Sequence, residues 1–178
     1  MMDCMKIQQN EEKQNNYCII SDDIVDLLSD ILSEYMYNHQ LYTLYASEYK
    51  NKGLNQLYKY YIERACNEIK IYDKIVKYMN LSNCDITCEI ALPYTSDEEC
   101  PIERTLRRDL DINSKWKEIY TSALEVQDYT TVAFASKRLL KRIKDISISS
   151  QACLIMKQEG SMLSKEKIIL NLYESYND

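Results

Sequence analysis

Apolar residues recur along this chain in steps that alternate between three and four, the period of a helix with one buried face. The first run reads Ile24, Leu28, Ile31, Tyr35, Asn38, Tyr42, Tyr45, Tyr49. Ser21 followed by Asp22 and Asp23 supplies an N-cap and first-turn acids, and Asn51-Lys52-Gly53 supplies the stop. A second run follows at once: Leu54, Leu57, Tyr61, Ala65, Glu68, Tyr72, Ile75, Met79, ending near Asn80 to Asn83. A third opens at Glu99-Cys100-Pro101, with proline at an early helical position, and reads Ile102, Leu106, Asp109, Asn113, Trp116, Tyr120, Ala123, Gln127. The fourth starts behind Gln127-Asp128 and reads Val132, Ala135, Leu139, Arg142, Ile146, Ser149, Cys153, Met156, with Gly160 after it. A short amphipathic helix from about Leu163 to Ser175 closes the chain.

The connections between these runs fix how they pack. The first and second helices are joined by almost nothing, as are the third and fourth, so each pair lies antiparallel. Residues 81–98, with Pro93, form the one long connection, long enough to run the length of a bundle. The expected architecture is all-α: an antiparallel four-helix bundle with a long crossover between helices two and three and a short fifth C-terminal helix. Residues 1–20 read as a flexible tail and 21–178 as one domain.

Composition agrees with this plan. Only 2 Gly and 2 Pro occur, too few for the many turns of a sandwich or barrel. A net charge of −6 disfavours generic nucleic-acid binding and suits a protein that attracts cations. The polar stretch from Met1 to Tyr17 reads as neither a signal nor an anchor, and no apolar run is long enough to span a bilayer. An odd count of 7 Cys without a signal suggests reduced thiols in a cytoplasmic protein. The spacing of Cys84 and Cys88, with Cys100 beyond, admits a zinc clip, although it is irregular and lacks a nearby histidine.

Three charges stand on faces that otherwise read as core: Glu68, Asp109 and Arg142. They lie on three different helices, so a bundle brings them together, and buried charge is costly unless paired or metal-bound. Tyr35 and Tyr42 share the same seam on the first helix. Carboxylates and tyrosines inside a four-helix bundle suit hard iron ions, which prefer oxygen ligands.

The order of elements resembles that of ferritins, of the bacterial non-haem type. Leu41-Tyr42, the stretch Ala65 to Tyr72, and Gln127-Asp128-Tyr129 followed by Phe134 are similar to family segments, and the resemblance covers about Ser21 to Ser175. Carried over residue by residue, the family's di-iron ligands fall on Tyr35 (with Glu34 beside it), Glu68, Ile71, Asp109 and Arg142. Glu68 and Asp109 keep a carboxylate, while Tyr35, Ile71 and Arg142 are degraded positions. The acids of the family's third iron site fall mostly on Asn67, Lys141 and Lys144, and those of its three-fold channel on Ala133 and Ser136.

Two readings of the centre stay open. In one, the Arg142 guanidinium sits between Glu68 and Asp109 and replaces the metal. In the other, Arg142 swings aside and Glu68, Asp109 and Glu34 hold a single low-affinity iron, with Tyr42 nearby and His39, the lone histidine, at the edge. Glu63 and Asp73 flank the site on the second helix as further acids. The basic residues Lys137, Arg138, Lys141 and Lys144 read as a solvated face, with an anion site as the minority alternative. The resemblance implies an iron-storage protein in a self-assembled shell of twenty-four subunits, with weak or non-standard ferrous oxidation at Glu68, Asp109 and Tyr42. The alternative is a structural or binding protein that kept the bundle and lost iron chemistry. A DNA-coating miniferritin fits less well, since its ligand sets need histidines.

Overall fold

The computed structural model describes residues 18–94 and 99–176, and every regular element in them is helical. The helices are α1 (Asp22–Asn51), α2 (Asn55–Leu81), α3 (Pro101–Glu125), α4 (Tyr129–Lys157) and α5 (Met162–Ser175). The boundaries follow the local chemistry. Pro101 takes the first turn of α3, where its missing N–H costs nothing. Asp128 caps α4 by accepting from the backbone N–H groups of Thr130 and Thr131 at 3.1 and 3.0 Å. Gly53, at φ +75°, makes the tight reversal between α1 and α2.

All eight positions of the α1 seam are buried. On α3 the buried stripe runs through Ile102, Thr105, Asp109, Ile112, Trp116, Ile119 and Ala123, so Leu106, Asn113 and Tyr120 lie at its edge rather than its centre. Gln127 falls outside the helix, exposed and at φ 61°. The α4 stripe is displaced likewise: Arg138 is buried where Leu139 was expected, and Leu140 and Ile143 point outward.

Helices α1 and α2 pack as one hairpin and α3 and α4 as another; α1 also packs on α3, and α5 packs across α2 and α4. Between α2 and α4 no Cα pair comes within 8 Å, so that side of the bundle is the open one. The core is split in two by polar residues. One end gathers Tyr42, Tyr45, Tyr49, Tyr60 and Tyr61 with the α5 residues Ile169 and Tyr173. The other gathers Leu28, Ile31, Ile75, Ile112 and Trp116. The charged cluster lies between them.

The thiol expectation needs correction. Cys18 and Cys84 form a disulfide. It ties the start of the chain to the end of α2, because an antiparallel hairpin returns the α2 terminus to the α1 start. The Ile19 N–H donates to the Ser82 carbonyl at 3.0 Å, and Ile20 is buried beside it. Residues 18–20 are therefore part of the domain, whereas 1–17 of the expected tail lie outside the described residues. With Cys84 engaged, the Cys84, Cys88, Cys100 clip is not formed; Cys66, Cys88, Cys100 and Cys153 are free thiols. Among the described residues no helix is long and apolar enough to cross a membrane.

Candidate metal centre

The structure brings Glu68, Asp109 and Arg142 into the middle of the bundle, all at most 3% exposed. It adds a fourth charge that the sequence reading passed over, Arg64 of α2, 2% exposed. Arg64 stands four residues before Glu68 and three after Tyr61, so it shares the seam. One of its terminal nitrogens donates to both Asp109 carboxylate oxygens, at 2.6 and 2.8 Å. Arg142 donates to Oδ1 of the same carboxylate, and the Ser149 hydroxyl donates to Oδ2. Asp109 is thus clamped from α2 and from α4. Arg142 does not turn to Glu68, as the bridging arrangement required; its other terminal nitrogen donates to Asp145, one turn along α4, at 3.0 Å.

The electrostatics follow from these contacts. Burial raises the Asp109 carboxyl, but the two guanidiniums and Ser149 outweigh it and hold it below its ordinary value. Glu68 lacks such a clamp. Among the described residues its only hydrogen bond is a long one of 3.5 Å from the Asn38 amide, and burial pushes its carboxyl up to about 7 despite Arg142 and Arg64 nearby. Arg64 and Arg142 against Asp109 and Asp145 sum to zero, with Glu68 half-titrated at neutral pH. The two arginines already balance two of the carboxylates, so at most the Glu68 charge is left for a cation to balance.

A measurable consequence follows for Glu68. A carboxyl with a folded-state pKa above its unfolded value stabilises the fold fully only below the unfolded value. That contribution is lost as pH rises from about 4.5 through about 7. Glu68→Gln, which is neutral throughout, should therefore be more stable than wild type by about 2–3 kcal/mol at pH 8 and nearly unchanged at pH 4.5. Urea unfolding at the two pH values reads the difference.

The other candidate ligands lie away from this cluster. Glu34 sits under the crossover, where Arg108 and Lys115 (2.9 Å) hold its carboxylate. Burial raises its carboxyl, and the two cations pull it below the ordinary value. Arg108 also donates to Asn38 at 2.7 Å, so Glu34 reaches Glu68 only through two intervening side chains. His39 lies on the same outer side and lines a shallow cleft with Leu92 and Pro93. Its Nδ1 is 3.0 Å from the Ala65 carbonyl, which can only accept, so Nδ1 carries the proton.

Tyr42 does border the cluster. Its hydroxyl accepts from Arg64 at 3.5 Å, its ring lies under the guanidinium, and burial raises its phenol well above normal. Tyr35 accepts from the Trp116 indole N–H at 2.8 Å, and Ile71 lines a cleft between α2 and α4. Glu63 lies 4.0 Å from Lys59, and Asp73 is exposed. Among the described residues no three Asp, Glu, His or Cys side chains come together as a metal-ligand set. Three carboxylates, two of them already bonded to arginines, do not fit a di-iron pair, which would bring several positive charges into a site where at most the Glu68 charge is unbalanced.

A family model of the ferritin-like domain matches residues 25–148, more than half of the chain. No curated protein gives a significant sequence match. The fold is shared with an open-pore ferritin from the archaeon Archaeoglobus fulgidus, at TM-score 0.73 and 16% identity over 85% of this chain and 98% of that one. A humanized archaeal ferritin gives TM-score 0.79 at 16% identity, covering 85% of this chain and 96% of that one. At such identity the two structures speak for the fold alone, while the family match covers the α1 to α4 bundle that carries the charged cluster. The chain belongs to the ferritin-like domain family.

Proposed function

We propose that this chain is an iron-storage subunit of a self-assembling ferritin-type shell whose central oxidation site is closed. The observation that carries this reading is the Arg64–Asp109–Arg142 clamp, extended to Asp145, which occupies the bundle centre with charges already paired. Ferrous oxidation is then weak or non-standard. Any slow oxidation falls to solvent-facing acids such as Asp73 rather than to Glu68, Asp109 and Tyr42 acting together. Self-association is supported by outward apolar side chains on α4, Leu140 at 71% and Ile143 at 65% exposure, which a monomer would leave in water. A shell of twenty-four copies and a cytoplasmic location belong to the same proposal; in a reducing cytoplasm the Cys18–Cys84 pair would be held as thiols.

The second reading, a ferritin-fold binding or structural protein without iron chemistry, is favoured by one observation: Lys141 and Lys144 line the cleft beside the centre, where a storage protein gains from acids. Sizing chromatography followed by aerobic ferrous loading separates the two. The storage reading expects a large multi-subunit particle that accumulates iron slowly. A small oligomer that gains no iron would overturn it. Arg142→Gln alone should not speed oxidation, because Arg64 still neutralises Asp109; the double replacement with Arg64→Gln is the variant expected to do so.

A further inference from the structure

The open side of the bundle carries a second concentration of charge, separate from the buried cluster. Lys74 and Lys77 of α2 face Lys137, Arg138 and Lys141 of α4 across a cleft of about 410 Å³. The rest of its lining is Tyr78, Leu81 and Phe134, with no carboxylate. Lys74 and Lys141 continue into an adjoining cleft of about 280 Å³, where Lys70 and Lys144 join them. Only there do acids appear: Asp145, already bonded to Arg142, and buried Glu68. Among the described residues none of the five cations of the first cleft makes an ion pair. In a chain of net charge −6 this is a local reversal of sign.

Arg138 is what makes the cleft a built site rather than a lysine-rich face. Its side chain is 5% exposed, and its Nε and Nη1 are buried without a hydrogen-bond partner. It lies over the Phe134 ring at 5.0 Å, a neighbour that offers it no oxygen acceptor. A buried, unpaired guanidinium is costly, and its fork of donors matches an oxyanion. The lysines press on one another as well. Burial first, then Lys141, Arg138, Lys137 and Lys70, hold the Lys74 ammonium below its ordinary pKa. An anion entering the cleft relieves both the unpaired guanidinium and the mutual repulsion, and low-dielectric walls concentrate the attraction.

We propose that the α2–α4 cleft binds a linear oligophosphate, with Arg138 as the anchoring cation for one phosphoryl group and Lys74, Lys77, Lys137 and Lys141 neutralising its neighbours. The seven-residue step from Lys70 to Lys77 spans about 10 Å of helix, enough for two or three linked phosphoryl groups. A single phosphate can meet only part of the cation set. The inference does not depend on the chain storing iron.

Calorimetric titration of metal-free protein with orthophosphate, tripolyphosphate and ATP tests it. Tripolyphosphate should bind at least tenfold more tightly than orthophosphate, with affinity falling steeply as salt rises. Lys74→Gln with Lys141→Gln, both exposed and outside the core, should weaken binding at least tenfold, as should Arg138→Gln. Lys167→Gln on α5 should change nothing. Melting curves confirm that each variant is folded. ATP binding as tightly as tripolyphosphate assigns the ligand to nucleotide tails as well as free chains, and tripolyphosphate alone assigns it to inorganic chains; both uphold the site. No binding of either below millimolar concentration, or binding unchanged in the double lysine variant, overturns it.

Discussion

Asp109→Asn should lower the stability of the protein by about 3–5 kcal/mol, the largest effect expected of a single substitution here. Asparagine matches aspartate in shape, so the loss is electrostatic. Arg64 and Arg142, 2% and 1% exposed, would keep their charges in the bundle centre with Asp145 and the partly protonated Glu68 as the remaining acids, neither of them bonded to Arg64. The converse is as informative. Replacing Arg64, Asp109 and Arg142 together with Met, Leu and Met, and Asp145 with Asn, removes charge and partner at once, and stability should return to near wild type or above it. The same clamp governs acid unfolding. The folded-state pKa of Asp109 is depressed, so its contribution is complete above the unfolded value of about 3.8 and is lost as pH falls through the folded value. Urea midpoints at pH 7 and pH 3 for wild type, Asp109→Asn and the quadruple variant read all three effects.

The second large effect concerns the Cys18–Cys84 bond. It joins residues 66 apart in sequence, and closing a loop of that length restricts the unfolded chain by about 4 kcal/mol. Reduction, or Cys84→Ser, should therefore lower the melting temperature by roughly 10 °C for a chain of this size. Adding a reductant to Cys84→Ser should lower it no further. An equal melting temperature for oxidised and reduced wild type would show that residues 18–20 stay docked on α2 without the bond.

Much of this structure was legible in the residues. The alternating steps of three and four placed the α1 seam to the residue, because Ile24 through Tyr49 face two neighbouring helices at once and tolerate little polarity. Asp128 and Gly53 marked helix ends through local chemistry that tertiary context does not override. The α4 face was harder. Arg138 is buried and Leu140 exposed, so hydrophobicity there points away from the core and the periodic pattern misplaces the face.

Arg64 was passed over for a related reason. The steps Leu57, Tyr61, Arg64, Glu68 follow the seam as well as the route through Ala65 does, and hydrophobicity alone favours the small apolar residue over the charged one. A charge at a seam position one turn from a buried acid is the signal that would have found it. The disulfide had no local signal, since Cys18 and Cys84 meet only once the hairpin has formed.

Arginine fills the middle of the bundle where a ferritin-type centre would hold iron. Anaerobic ferrous titration of wild type beside Glu68→Gln tests it most directly, because Glu68 is the one central carboxylate not already bonded to a guanidinium. Closure predicts the same ferrous stoichiometry and affinity in both proteins, any iron residing at surface acids. One or more ferrous ions per chain bound by wild type and lost in Glu68→Gln would contradict it, and would mean that Arg64 and Arg142 release Asp109 to make room for metal.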